Sequence, residues 1–285
     1  MVKTEFIEIS DELFLEIGKM ITQKYGIKMP REKKVMFQAR LQKRLRELGI
    51  RSFDEYALRL IANSGETDEF QLLADFISTN KTEFFRESDH FRFLSSTALT
   101  DLLSAMKREK GTHLRIWSAG CSSGQEAFSI AITLEEFMLL NGFSFVYSVV
   151  ATDISARMLH TAREAIYPMC QVDDVSMEFK RKYFLKSKDT SHPKVRIVKE
   201  LRDKIRVAYL NLMDGSYPFE TNFDVIFLRN TMIYFDQKVQ MRVLKNALDV
   251  LKTGGYLFIG HSESLINMQL PIKSIAPGVY IKIKL

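Results

Sequence analysis

The sequence predicts an α/β fold: a mostly parallel, Rossmann-like sheet behind an all-α N-terminal domain, with a small β-subdomain inserted in it. Three observations predict it. Apolar side chains recur at helical spacing through the first part of the chain, the mark of amphipathic helices. From about residue 114, β-prone apolar runs alternate with helical stretches, as in parallel strands joined by right-handed crossovers. Between Tyr167 and Lys204 lies a 38-residue interval, too long for a plain connection.

The helical segment, residues 1–78, comes first. Phe14, Ile17 and Ile21 line one apolar face, and Phe37, Leu41, Leu45 and Leu48 another. On the second of these helices Arg40, Lys43, Arg44 and Arg46 occupy the remaining circumference. The 285-residue chain carries a net charge of +6, and the excess is local. Residues 28–59 hold ten Lys/Arg against four Asp/Glu, a patch that attracts an acidic partner. These cations are either a solvated helix face or a docking surface for acidic protein.

Strands are expected near Leu114–Ser118, Phe145–Thr152, Ile205–Tyr209, Phe223–Leu228 and Tyr256–Gly260, with helices at about 126–140, 155–165 and 237–251. The last helix runs into Lys252-Thr253-Gly254-Gly255, where Gly254 would supply a left-handed cap. Val195–Val198 alternates like a strand and the polar, turn-forming Lys186–Pro193 precedes it, so 167–204 reads as a β insertion. Ile281–Leu285, following Pro277-Gly278, reads as half of an antiparallel edge hairpin.

Several function classes drop out. Cys121 and Cys170 are too few and too far apart for a disulfide framework or a zinc site, and no H-E-x-x-H occurs, so no metal cofactor is expected. Apolar runs such as Ser144–Ala151 fall well short of the roughly 20 residues that cross a bilayer. Glu5, Glu8, Asp11 and Glu12 stand where a signal peptide would be basic. A cytoplasmic monomer without membrane insertion is expected.

Chemistry concentrates at the first strand–helix corner, Ala119-Gly120-Cys121-Ser122-Ser123-Gly124-Gln125-Glu126. A glycine there lets a ligand approach the backbone at the carboxyl edge of the sheet. The spacing is not G-x-G-x-x-G, and Gln125 stands where a phosphate loop needs lysine. Asp153, ending the second strand, can accept hydrogen bonds from ribose hydroxyls or cap the following helix. A ribose without pyrophosphate points to S-adenosylmethionine (SAM). The connector Ser78–Glu87 is crowded with Asn80, Thr82, Arg86 and paired Phe84-Phe85, odd for a spacer, though a helix burying both phenylalanines is the alternative. Phe223–Asp236 ends an apolar strand in Arg229-Asn230 and continues into an aromatic loop.

Together Thr79-Asn-x-Thr-x-Phe-Phe-Arg-Glu87, Trp117-Ser-Ala-Gly-Cys-Ser-Ser-Gly-Gln-Glu126, Ala151-Thr-Asp-Ile154, Arg229-Asn-x-Met-Ile-Tyr-Phe-Asp236 and Gly260-His-Ser-Glu263 strongly resemble the chemotaxis receptor methyltransferases, the CheR family. The resemblance runs in order along essentially the whole chain. It implies a SAM-binding methyltransferase domain over 91–285, a connector over 79–90 that adds to the SAM site, and transfer of methyl groups to receptor glutamates, leaving S-adenosylhomocysteine. By similarity Asn80, Thr82 and Arg86 contact SAM, Glu126 lies near its amino group, and Asp153 holds the ribose. Gly120 forms the corner, while Asn211, Leu212, Arg229 and Asn230 line the adenine and sulfonium side and Tyr234 borders the transferred methyl. The region of Arg40, Lys43, Arg44 and Arg46 would dock on the methyl-accepting receptor's cytoplasmic helices; no nucleic acid is implied.

Gln125-Glu126-Ala127-Phe128 departs from the family's commoner acidic-Glu-Pro-Tyr, which keeps Glu126 but changes its neighbours. The turn Lys188–Pro193 lacks a glycine pair that resembles a marker of members binding a receptor pentapeptide, implying a pentapeptide-independent enzyme. Two rivals differ in class. A SAM enzyme acting on nucleic acid or a small molecule would share the sheet but lack the Thr-Asn-x-Thr connector. A catalytically inactive receptor adaptor would not need Arg86, Glu126, Asp153 and Tyr234 together.

Overall fold

The computed structural model describes residues 7–62, 68–106, 113–265 and 268–284; Glu5 and Leu285, used above, lie outside them. The chain begins with four helices: α1 (Asp11–Tyr25), α2 (Lys34–Leu48), α3 (Phe53–Ala62) and α4 (Asp68–Ile77). Ser10 starts α1 by accepting a hydrogen bond from the Leu13 amide, a side-chain cap for an otherwise orphan donor. The predicted apolar faces meet: Phe14, Ile17, Ile21, Phe37, Leu41 and Leu45 are buried in one cluster. Phe14 and Phe37 pack edge to face, 5.6 Å between centroids, each such buried side chain contributing on the order of 1.5–3 kcal/mol.

A connector without helix leads from α4 to α5 (Ser88–Phe93), which runs through a π turn at Leu94–Ala98 into α6 (Leu99–Met106). Next come β1 (His113–Ala119), α7 (Gln125–Asn141), β2 (Val146–Asp153), α8 (Ala156–Glu164), β3 (Ile166–Pro168), α9 (Met177–Tyr183), β4 (Phe184–Lys186), β5 (Lys194–Ile197) and α10 (Lys199–Arg202). The chain ends with β6 (Ile205–Tyr209), β7 (Phe223–Leu228), α11 (Gln237–Asp249), β8 (Leu251–Ile259), β9 (Ile272–Ala276) and β10 (Val279–Lys282).

Seven strands form one sheet in the order β6-β2-β1-β7-β8-β10-β9. β6, β2, β1, β7 and β8 are parallel, while β10 is antiparallel to both β8 and β9. β3, β5 and β4 make a separate antiparallel sheet. All six residues of β7 are buried, as a strand covered by helices on both faces requires. The chain leaves β1 for β2 and β6 on one side and returns to β7 on the other, so the carboxyl ends of β1 and β7 flank the switch point where open α/β sheets bind ligands. No helix among the described residues is long and apolar enough to cross a membrane.

Some local expectations fail for identifiable reasons. Gly254 does not cap a helix: α11 ends at Asp249, and Gly254, with φ 80°, lies inside β8. There it accommodates an irregularity, for Leu251 faces Phe223 while Tyr256 faces Val225; two strand residues oppose a longer stretch, and the left-handed glycine absorbs the excess. Asp153 is not the cap of α8. Ser155 is, accepting from the Met158 amide. Phe84 and Phe85 are not helical, although Phe84 is buried as foreseen, edge-on to Tyr167 and Phe184.

The four cations of α2 singled out for docking, Arg40, Lys43, Arg44 and Arg46, do not form one free surface. Arg44 makes two hydrogen bonds to Glu69, at 3.1 and 2.6 Å, and Tyr56 donates to the same carboxylate at 2.9 Å. Arg40 donates to the carbonyls of Phe76 and Ser78 at 2.8 and 3.2 Å, closing the end of α4. Arg46 donates to its own helix at Gln42. Lys43 alone of the four reaches out with little support, its side chain 78% exposed beside Glu47.

Candidate active site

Four strand ends and the connector converge. β1 turns at Gly120 with φ 79°, and both Gly120 and Cys121 donate to the Thr152 carbonyl at 2.8 and 2.9 Å. A Cβ at Gly120 would overlap the Thr231 hydroxyl. The glycine is thus demanded by the left-handed backbone and by the loop after β7 crossing over it. Ser122, also left-handed at φ 48°, donates its amide to Asp153 Oδ2 at 2.8 Å and its hydroxyl to the Asn80 carbonyl at 3.2 Å. The corner is thereby stitched to β2 on one side and to the connector on the other.

At the end of β7, the Arg229 side chain is 1% exposed. Its guanidinium lies 5.4 Å from the Phe91 ring and 5.9 Å from that of Phe227. Nη2 donates to the Arg86 carbonyl and, at 3.1 Å, to Glu87 Oε2; Nη1 lies 3.6 Å from Glu126 Oε2. Asn230, left-handed at φ 55°, donates its side-chain amide to Glu87 Oε1 at 3.0 Å. Its backbone amide, with those of Met232 and Gly260, points at the Glu263 carboxylate at 2.9, 2.8 and 2.7 Å. Positive φ in residues other than glycine is costly and concentrates at functional sites; Phe85, Glu87, Ser122 and Asn230 all have it here.

These elements enclose a cavity of about 270 Å³, just below the usual size of small-molecule sites. Asn80, Thr82, Arg86, Gly120, Glu126, Asp153, Asn211, Leu212, Arg229, Asn230 and Tyr234 all line it, so every residue singled out for cofactor binding or catalysis meets at one place. Asn211 is turned by its own contacts: its amide donates to the Lys24 carbonyl at 2.8 Å and its oxygen accepts from Met213. Tyr234 donates to the Thr79 carbonyl at 3.3 Å. Sequence reasoning missed a whole wall. Tyr25 and Ile27 of the helical domain border the cavity, where a Cβ on the intervening Gly26 would press on Met213 and Phe235; Tyr-Gly after a helix is too common a signal to have disclosed it. A second cavity, of about 530 Å³, shares Ser78 and Asn80 with the first and is bordered by Arg40, Lys43, Asp75 and Arg157.

Burial sets the electrostatics. It raises the Glu126 carboxyl above its ordinary value, opposed by the charge of Arg229 and the Ser118 hydroxyl. Burial likewise raises Asp153, opposed by the amides of Ser155, Ser122 and Ile154. At Glu87 burial pulls upward too, but the Asn230 hydrogen bond and the Arg229 charge prevail and the pKa falls. His90, 1% exposed, is held neutral, its pKa pushed down to about 4 by burial and by Arg229. The Tyr234 phenol is raised, chiefly by burial.

Two family models match the chain: CheR methyltransferase, all-alpha domain, over residues 12–78 and CheR methyltransferase, SAM binding domain, over residues 80–280. This chain belongs to the CheR methyltransferase family. It is 37% identical to a chemotaxis protein methyltransferase of Borreliella burgdorferi, over 97% of this chain and 96% of that one. It is 35% identical to chemotaxis protein methyltransferase 2 of Pseudomonas aeruginosa, over 94% and 92% of the two chains. To the chemotaxis protein methyltransferase of Escherichia coli it is 35% identical, over 93% and 89%.

The cavity fits the cofactor that a SAM-binding CheR domain takes. Glu126 is a half-buried carboxylate whose raised pKa a cationic amino group would relieve. Asp153 accepts the Ser122 amide on one oxygen and the Ser155 amide on the other and keeps lone pairs for hydroxyl groups. The buried Asn80 Nδ2 and Arg229 Nη1 have no hydrogen-bond partner among the described residues, an orphaned state that a polar ligand ends.

Proposed function

We propose that this chain transfers the methyl group of SAM to glutamate side-chain carboxylates of a chemoreceptor's cytoplasmic domain, forming methyl esters and releasing S-adenosylhomocysteine. The observation that carries the reading is the convergence of Asn80, Glu126, Asp153, Arg229 and Tyr234 on one cavity in a chain of this family. The methyl donor, when bound, supplies an electrophilic sulfonium methyl.

The rest falls to the protein. A glutamate ionises near pH 4.3 in water, so at neutral pH the substrate is already a nucleophile and needs no general base. What remains is to hold it in line, a task worth roughly 7–11 kcal/mol of barrier when orientation is complete. Tyr234, kept protonated by burial, can orient a carboxylate as a hydrogen-bond donor once its hydroxyl turns from the Thr79 carbonyl. Asn80, Thr82, Arg86, Gly120, Asn211, Leu212 and Asn230 shape the pocket, Asp153 takes the ribose hydroxyls and Glu126 the amino group. Arg40, Lys43 and Arg157 border the adjoining cavity, where they would draw an acidic receptor segment toward Asn80.

The test is incubation with tritiated SAM and a receptor cytoplasmic fragment carrying its methylation helices. Alkali-labile, volatile label on the receptor is expected. Alkali-stable label, or label on RNA or a small metabolite, overturns the reading.

A further inference from the structure

Beside the cavity, three side chains from three parts of the chain meet outside its lining. Glu87 of the connector, His90 of α5 and His261 after β8 place one ligand atom each within 4.8 Å of one another, and the two imidazoles stand 4.8 Å apart at 77°. His90 Nε2 lies 3.3 Å from the Pro277 carbonyl. A carbonyl can only accept, so the ring proton sits on Nε2 and Nδ1 presents a lone pair. That lone pair faces Glu87 Oε2 at 3.6 Å, and Nδ1 is buried without a hydrogen-bond partner among the described residues. Two acceptors turned on each other repel unless a cation lies between them.

We propose that Glu87, His90 and His261 form a binding site for a divalent transition-metal ion of the zinc class, and that this ion and the cavity's ligand antagonise one another through Arg229. Two imidazoles and a carboxylate select such an ion over magnesium or calcium. A carbonyl on the far nitrogen of His90 is the outer-shell contact that aims a metal-binding histidine. Zinc bonds of about 2.0–2.2 Å bring ligand atoms to roughly 3.3 Å from one another. The Glu87–His90 pair is already close to that, and the exposed His261 has room to close the remaining distance while leaving a position for water. The ion would take the Glu87 oxygen that now accepts from Arg229 at 3.1 Å. Arg229 borders the cavity, so occupancy at one site changes the other. Linkage makes the effect reciprocal, typically 5- to 150-fold. The antagonism, unlike the site itself, rests on the cavity's being the SAM pocket.

The experiment titrates zinc by calorimetry, and cobalt by its visible absorption, into the metal-free full-length protein and its His261→Ala and His192→Ala variants. One equivalent of metal is expected, weakened about tenfold or more by His261→Ala and unaffected by His192→Ala; no stoichiometric binding, or equal binding in all three proteins, overturns the site. Repeating the titration with saturating S-adenosylhomocysteine should weaken zinc at least 5-fold. Metal and nucleoside binding independently overturns the antagonism, whereas failure of the nucleoside to bind the metal-free protein overturns the reading of the pocket and leaves the site to stand or fall on the first titration.

Discussion

Arg229 donates to the Glu87 carboxylate at 3.1 Å, so the end of β7 and the connector from the helical domain are held together by an ion pair whose arginine is buried. Removing one member of such a pair leaves the other charge uncompensated, at about 3–5 kcal/mol. Glu87→Ala should fall at the low end of that range, because Glu126 still lies 3.6 Å from the guanidinium. Glu87→Gln, which keeps an acceptor for Asn230, should lose less. Urea denaturation of the two variants measures both; a loss under about 1 kcal/mol for the alanine variant would mean that Glu126 takes over the pairing.

The raised carboxyls of Glu126 and Asp153 give an unusual pH dependence. Between the unfolded values, about 4.3 and 3.9, and the higher folded ones, the native state holds more protons than the unfolded chain. Stability contributed by these groups is therefore full below that window and lost as pH rises through it. The ligand-free protein should show this negative slope superposed on its other titrations, and Glu126→Gln or Asp153→Asn should remove part of it. SAM affinity should climb across the same window as Glu126 ionises. Calorimetry and thermal melts against pH check both; identical slopes in variants and parent would return the two carboxyls to ordinary behaviour.

Tyr234→Phe keeps the ring near Lys33, 5.7 Å away, and deletes the hydroxyl that donates to Thr79. A hydrogen bond from that hydroxyl to a substrate carboxylate is worth about 1.5–3 kcal/mol, so turnover should drop roughly 12- to 160-fold with SAM affinity unchanged. Because burial raises the phenol, the rate profile should show no basic limb that the variant abolishes. Wild-type turnover would exclude a role for the hydroxyl.

The cavity edge was legible because parallel sheets put ligand sites at strand ends. Gly120, Asp153, Asn211 and Arg229 each follow a readable apolar run, and the connector announced itself by Asn80, Thr82 and Arg86 where a spacer would be bland. Pairing across long separations was not legible. Arg44 looked free on the helix circumference, yet its partner Glu69 lies 25 residues on, and only the packing of α2 against α4 brings them together. Likewise positions 87, 90 and 261 form no linear motif, and Gly254 followed a helical period closely enough to pass for its cap.

That pairing changes which cations can act in docking. Arg44→Ala should cost stability, about 1.5–3 kcal/mol for its charged hydrogen bonds, read by denaturation. Lys43→Glu with Arg157→Glu should leave stability and SAM affinity near wild type while raising receptor KM. Moderate salt should mimic that defect in the parent, since exposed charges are screened beyond about 8 Å at physiological ionic strength. Equal receptor KM in the double variant would reduce the patch to a solvated face.

Glu263, in the Gly-His-Ser-Glu stretch, does not itself line the cavity but fixes the loop that does. Its carboxylate collects the amides of Asn230, Met232 and Gly260, and so holds Asn230 at a φ of 55° that an unsupported asparagine would leave readily. In Glu263→Gln one acceptor becomes an NH2 donor facing a backbone N–H, so at least one buried amide goes unsatisfied, at about 1–3 kcal/mol. The loop that carries Asn230 and Tyr234 should loosen, lowering kcat and raising the KM for SAM together. Hydrogen exchange should quicken at the Asn230 and Met232 amides while α2, whose buried residues belong to the separate core of the helical domain, keeps its protection. Unchanged exchange at those two amides with reduced activity would show that Glu263 acts by its charge and not by anchoring the loop.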